Sequence, residues 1–240
     1  ATKGIGRAIA SRMAEHGANV VISSRKADMC EEVAQDINAN WAKGDNEAAA
    51  MPCHISHKEQ LQSLVDQTMA QFGGIDILVN NAANPVAQPI GEITPEAFTK
   101  SFDVNVRGPL FLFQACLPHL LVSDHASVVN VISAGAFLNT PGASMYGAGK
   151  AALLHFTRSM AAEYASRGIR VNALAPGPVD TTMVRNTGPE RAAGMARYNY
   201  MKRLGEPDEM GGAVLYMASD AGSFMTGQCL TVDGGMVPAR

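Results

Sequence analysis

Residues 1–26 read ATKGIGRAIASRMAEHGANVVISSRK, and the order of the parts decides the fold. A Lys-Gly-Ile-Gly turn (3–6) opens a helix-forming run, GRAIASRMAEHG (6–17), and a short β-branched run, ANVVIS (18–23), follows. Gly4 and Gly6 have no Cβ, so backbone N–H groups there can approach a ligand closely. The helix behind them, from Ile5 onward, aims its partial positive end at that place, where a pyrophosphate is the natural occupant. Taken alone, the same letters also describe a tight turn with no ligand. The strand end adds a second sign. About 18 residues past Gly6, a site for NAD wants a carboxylate for the ribose 2′-hydroxyl. This chain has Ser24, Arg25 and Lys26 instead. Arg25 can clamp a 2′-phosphate through a charge-assisted pair, and Lys3 adds a second cation. The competing reading is a solvated basic loop.

Outward from this stretch, helix and strand patterns alternate along all 240 residues without a linker or repeat. Helices are expected over about 26–40, 57–73, 95–121, 144–166 and 207–219, and strands within 49–55, 75–83, 126–133, 169–176 and 228–233. Such alternation predicts an α/β fold, a three-layer, doubly wound parallel sheet of Rossmann type in a single domain over 1–240. Residues 181–205 are polar and mixed, and read as a flexible substrate flap. In these sheets ligands bind at the carboxyl ends of the strands. The polar strand ends Ser24-Arg25, Asn80-Asn81, Ser133 and Pro176-Gly177 would all lie along that one edge.

The helix SMYGAGKAALLHFTRSMAAEYA (144–165) places Tyr146 and Lys150 four residues apart, on one face. An ammonium there favours the phenolate, drawing the phenol down toward working pH, so that it can exchange a proton with a carbonyl oxygen. Ser133, at the end of the preceding strand, can hold the same oxygen from another side.

With TKGIG (2–6), NNAA (80–83), DVNVRG (103–108), Ser133, YGAGK (146–150), APGPVDTTM (175–183), RLGEP (203–207) and VDGG (232–235), the chain resembles the short-chain dehydrogenase/reductase family over essentially its whole length. The resemblance implies an oxidoreductase that moves a hydride between NADP(H), or less readily NAD(H), and a small carbonyl or alcohol. It makes Tyr146 the general acid/base, Lys150 its activator and a ribose ligand, and Ser133 the substrate-oxygen ligand. Asn105 would hold, through its backbone, a water that relays protons from Lys150. Lys3, Gly4, Ile5, Gly6, Ser24, Arg25, His54, Ile55, Asn80, Ala82, Pro176, Val179 and Thr181 would join Tyr146 and Lys150 around the cofactor. The family pattern also has a strand and one more glycine ahead of Ala1, so about ten further residues are expected there, a strand needing five or six. His54 departs from the family's usual acidic residue beside the adenine amino group. It would stack, hydrogen-bond, or stand in water as a loop residue. Relatives pair through the helices near 98–121 and around Tyr146, which implies a homodimer or homotetramer.

Bulk properties narrow the classes. A net charge of −3 gives no electrostatic footprint for nucleic acid. No apolar run nears the roughly 20 residues of a membrane span. Four scattered cysteines show no metal spacing and read as reduced thiols of a cytoplasmic protein. Within the family, a 3-oxoacyl-thioester reductase would want a basic residue where Asp124 and His125 stand, although Arg167 is a candidate second contact. Outside it, a dinucleotide-sensing, non-catalytic protein would have no need of Tyr146 and Lys150 together. A serine hydrolase would want Gly-x-Ser-x-Gly, and GASMY (142–146) fails at its last position. Ala134, Phe137, Leu138, Met145, Pro178, Met183 and Val184 predict an apolar pocket beside the reacting carbonyl.

Overall fold

The structure, a computed structural model, describes residues 1–237. The N-terminal third alternates α1 (Gly4–Glu15), β1 (Val20–Ile22), α2 (Ala27–Asn40), β2 (Ala48–Ala50) and α3 (Lys58–Phe72). Then come β3 (Ile77–Asn80), α4 (Pro95–Phe102), α5 (Gly108–Leu120), β4 (Ser127–Val131), α6 (Ser144–Tyr164) and β5 (Arg170–Pro176). The chain closes with α7 (Thr182–Arg185), α8 (Pro189–Arg197), α9 (Pro207–Ala218) and β6 (Cys229–Val232).

All strand pairs are parallel, in the order β3-β4-β5-β6 and, separately, β1-β2. Among the described residues no ladder joins β1 to β3, as expected where the family's first strand would stand between them. Both pieces still lie in one layered body. Val20 of β1 packs on the same apolar cluster as Ile77 and Val79 of β3.

Strand alternation assigns the layers. Val129, Val131 and Leu174 bury against Ile9, Met13, Met210, Val214 and Met217 of α1 and α9. Their neighbours Leu78, Val128 and Val171 bury on the opposite face, against Leu61 and Val65 of α3, Leu112, Phe113 and Leu120 of α5, and Met160 of α6. Every residue of β4 is buried, as a strand covered on both faces requires.

Local signals explain the helix ends. Thr94 accepts from the Ala97 N–H at 3.2 Å, with Pro95 at the first helical position of α4. Pro207 and a reciprocal Glu206–Glu209 capping box start α9. The helix expected to run unbroken from 95 to 121 is instead interrupted by a π-helical segment, Asp103–Arg107.

Residues 181–205, read from the sequence as a flap, include two helices. The segment carries α7 and α8 above a clasped base, where the Asp180 N–H donates to Gly205 O and the Gly205 N–H to Pro178 O, at 2.8 and 2.9 Å. The far side hangs on the C-terminal turn through the N–H groups of Tyr200 and Met201, both given to Gly234 O.

Candidate active site

The glycine turn has the room and the free donors that could seat an anion. Gly4 sits at φ +50°, a left-handed conformation that a side chain would strain. The first turn of α1 has no side-chain cap and no acidic residue, which leaves its leading N–H groups open. A Cβ at Gly4 would stand 2.8 Å from the Thr181 methyl, and one at Gly6 would stand 2.5 Å from Asn81 Nδ2. The turn is therefore wedged between the loop after β3 and the loop after β5, at the carboxyl edge of the sheet.

Around this seat the sequence-derived residues fall as follows. Lys3 and Arg25 are exposed, while Ser24 is half-buried and turned inward. Its hydroxyl accepts from the Lys26 N–H (3.3 Å) and touches Cys30 Sγ (3.2 Å). His54 and Ile55 follow β2, which continues in step with β1, the Cys53 N–H donating to Ser24 O at 2.9 Å. Ile55 is pressed against Gly108, where a Cβ would meet it at 2.5 Å. Asn80 is buried at the end of β3 and donates to Asn130 Oδ1 at 2.8 Å, while Ala82 is exposed on the next loop. Pro176 ends β5, and buried Val179 forms a parallel bridge with Gly205 just before Thr181.

The second cluster forms where α6 starts. Two of its glycines clear the approach. A Cβ at Gly147 would meet Thr140 Oγ1 at 2.8 Å and Gly135 O at 2.9 Å, and one at Gly149 would meet Asn105 Cβ at 3.2 Å. The loop carrying Ser133 and the π-segment carrying Asn105 thus pack directly on the helix that bears Tyr146 and Lys150. Ser133 is extended, and its Oγ accepts from the Gly135 N–H at 3.1 Å. Asn105 is fully buried. Its Nδ2 donates to Asn84 O and Ser101 O, both at 2.9 Å, and its Oδ1 accepts from the Asn84 N–H at 3.1 Å. These bonds tie the loop after β3 to the π-segment, a helix irregularity often found at functional sites.

The electrostatics differ from the expectation. Lys150 is 1% exposed, and its Nζ donates to Val131 O at 2.8 Å. It lies 5.8 Å from the Tyr146 ring centroid. Burial pushes the lysine down to about 8. The phenol of Tyr146 is raised, because burial disfavours the phenolate more than the facing Ser133 hydroxyl favours it. In this geometry burial is the largest influence on the phenol, and Lys150 is tied to the carbonyl of β4.

Residues that the sequence reading passed over complete the picture. Asn81, rather than Asn80, abuts the glycine turn. Asn84 is the partner of Asn105. Asn130 donates to Thr157 Oγ1 at 2.9 Å, and Thr157 to Leu153 O at 2.8 Å, continuing a buried line from Asn80 into α6. The second asparagine of Asn80-Asn81 and the Gly-x-Gly of YGAGK were the available signals. Asn130 and Thr157 had none beyond a polar letter in an apolar run.

With this arrangement in place, relatives give the class. Residues 1–237 match a family profile described as enoyl-(acyl carrier protein) reductase. Human dehydrogenase/reductase SDR family member 4 is 39% identical over 242 residues, spanning 100% of this chain and 85% of that protein. The 2,5-dichloro-2,5-cyclohexadiene-1,4-diol dehydrogenase of Sphingobium indicum is 38% identical, over 97% of this chain and 92% of that one. A short-chain type dehydrogenase/reductase from Mycobacterium marinum superimposes with a TM-score of 0.92 at 30% identity, covering 99% of this chain and 93% of that structure. The chain belongs to the short-chain dehydrogenase/reductase family. It is an oxidoreductase of a family that works with nicotinamide dinucleotides.

Proposed function

We propose that this protein is an NADP(H)-dependent oxidoreductase that interconverts a carbonyl and a secondary alcohol, with Tyr146 as general acid/base. The observation that carries the reading is that Ser133, Tyr146 and Lys150 gather at the same sheet edge as the uncapped N-terminus of α1. The donor set fits a phosphorylated dinucleotide. Open N–H groups and Lys3 suit the pyrophosphate, and Arg25, with no carboxylate beside it in Ser24-Arg25-Lys26, suits a 2′-phosphate. Pro176, Val179 and Thr181 would take the nicotinamide end, with Asn80 and Ala82 bordering the middle.

When bound, the nicotinamide supplies or accepts the hydride. The chain's own residues handle the oxygen and the proton. Ser133 donates to the substrate oxygen and fixes it beside the phenol. Tyr146 gives its proton to that oxygen during reduction and recovers it during oxidation. Burial keeps the phenol protonated, which suits the reductive direction. Lys150, held on Val131 O, stands ready as the nearest cation for the phenolate that proton loss creates. The π-segment around Asn105 borders both and gives the proton a route outward.

The groups around the oxygen are apolar, with Ala134 and Met145 buried and Met183 41% exposed on α7, so an uncharged substituent is expected beside the carbonyl. A carrier-bound thioester is the weaker choice, because His125 faces Asp220 at 3.8 Å, next to Asp124, where an acidic carrier would want cations. The four free thiols, three of them buried, suit a cytoplasmic enzyme. A homodimer or homotetramer through α5 and α6 completes the proposal, to be checked by light scattering on the eluted protein.

The deciding experiment is steady-state turnover of a panel of aldehydes, ketones and diketones with NADPH and with NADH. Turnover with a clear NADPH preference is expected. Equal efficiency, or a preference for NADH, would remove the argument from Arg25. No turnover of any carbonyl with either cofactor would remove the reading itself.

A further inference from the structure

We propose that His54 reads the nucleobase of the dinucleotide as a hydrogen-bond donor, so that this site selects a purine by its ring or carbonyl acceptors and not by the 6-amino group. The inference rests on the cofactor reading above and concerns one residue within it.

Placement comes first. β1 and β2 run parallel with Ile22 opposite Ala50, and the step is kept beyond the strands by the Cys53 N–H donating to Ser24 O. A dinucleotide whose phosphates sit on α1 lays its ribose at the end of β1. The base then lies one strand over, at Cys53-His54-Ile55. Cys53 is buried, and Ile55 is packed against Gly108. Of the three, His54 is the side chain left with a polar edge to offer.

The hydrogen bonds around the ring fix which edge that is. The Ser56 N–H donates to His54 Nδ1 at 3.2 Å. A backbone N–H can only donate, so Nδ1 must be bare and the proton must sit on Nε2. The turn that delivers this N–H is itself pinned. The His54 N–H donates to Gln60 Oε1 at 2.7 Å, and the His57 N–H to His54 O at 2.9 Å. The His57 ring leans on the His54 ring with centroids 4.5 Å apart, which further limits rotation. Burial, His57 and Arg25 all disfavour a charged His54, so the neutral form with a single proton prevails. The site therefore presents Nε2–H, a donor.

A carboxylate at this position would do the reverse, accepting from the amino group of adenine and repelling a carbonyl oxygen. A donor pairs with a ring nitrogen of adenine. It pairs as well with the 6-oxygen of hypoxanthine, the purine that carries a carbonyl in place of adenine's amino group and a proton on N1, so the donor meets an acceptor in either base. Base preference is thus set by the tautomer that Ser56 imposes.

The test is equilibrium binding by calorimetry, with NADPH and its hypoxanthine analogue as probes, on the whole protein. The unaltered protein should bind the two with dissociation constants within about threefold of each other. His54→Asp should favour NADPH over the analogue by about tenfold or more, the worth of a charge-assisted hydrogen bond gained by one base and a repulsion met by the other. His54→Asn, which keeps a side-chain N–H, should return the ratio toward that of the parent. Tenfold weaker binding of the analogue to the unaltered protein overturns the proposal and needs no variant to do so. An Asp variant with the parent's ratio also overturns it, because His54 then does not face the base. Failure of NADPH and NADH alike to bind would instead strike the cofactor reading on which it stands.

Discussion

The two ends of the crevice are built on opposite plans. At the α6 end the central polar groups are sunk and tied. Lys150 is 1% exposed on Val131 O, and Asn105 and Asn130 are fully buried in hydrogen bonds. At the β1 end Lys3 and Arg25 are exposed, and among the described residues neither side chain has a hydrogen bond or an ion pair. In the function proposed above, the difference follows from what each end would have to do. Proton and hydride transfer fail when atoms are misplaced by about an ångström. Charge attraction falls off gently with distance, so an open cation can adapt to its phosphate. One end is organised in advance by burial, and the other, in the function proposed above, would discriminate by sign of charge.

The sharpest way to break this contrast is Tyr146→Phe. It removes one oxygen from the organised end and leaves the packing in place. The turnover number should fall by about 10³, within the usual span for a lost general acid/base. Binding of NADPH should stay within about threefold of the parent. Full activity in the variant would mean that burial at this end serves stability alone. Next in size is Gly147→Ala. Its methyl would press on Gly135 O at 2.9 Å, a backbone atom that cannot swing aside, and so displace the Ser133 loop. A loss of about 10²-fold in turnover, the cost of an ångström's misplacement, is expected with unchanged circular dichroism.

How far these features were readable from the letters varies with their physical origin. Element positions were legible because periodicity and turn residues are local: β1, α2, α3 and α9 fall within the expected runs. The co-location of Ser133, Tyr146 and Lys150 was legible because parallel topology sends every strand's carboxyl end to one edge. The π-segment at 103–107 was not. It answers to Asn105 reaching Asn84 and to α6 pressing in at Gly149, contacts made far along the chain. The spacing of Tyr146 and Lys150 gave their proximity but not the lysine's orientation, which the carbonyl of Val131 decides. The helix over 189–197 had a local signal in Pro189 at its first position, outweighed by the polar composition of its surroundings.

The open end is probed by Arg25→Asp. Efficiency with NADPH should drop by about tenfold or more, roughly 1.4 kcal/mol, while the turnover number at saturation changes little. Added salt should weaken NADPH binding to the parent more than to the variant, since an exposed pair is screened and a buried one is not. A loss carried in turnover instead would show that Arg25 shapes the organised end as well, and the two plans would merge.

The smallest effect bears on what the organised end costs. A lysine held at about 8 in the folded chain, against about 10.5 unfolded, binds its proton less readily when folded. Below pH 8 both states are protonated, and the folded state carries the full penalty of a buried charge. Between about 8 and 10.5 the unfolded chain binds more protons than the folded one, so stability rises with pH and the penalty fades. Lys150→Met keeps the length and removes the charge. Catalysis should vanish, yet at neutral pH the midpoint of thermal unfolding should rise by about 2 °C or more, the shift produced by roughly 1 kcal/mol in a chain of this size. The advantage should shrink steadily as pH climbs from 8 toward 10.5. Arg25→Met, at the exposed end, should move the midpoint by less, because an open guanidinium loses little hydration on folding. A methionine variant less stable than the parent at pH 7 would mean that the bond to Val131 O outweighs the desolvation of the ammonium. The organised end would then be a source of stability and not a charge against it.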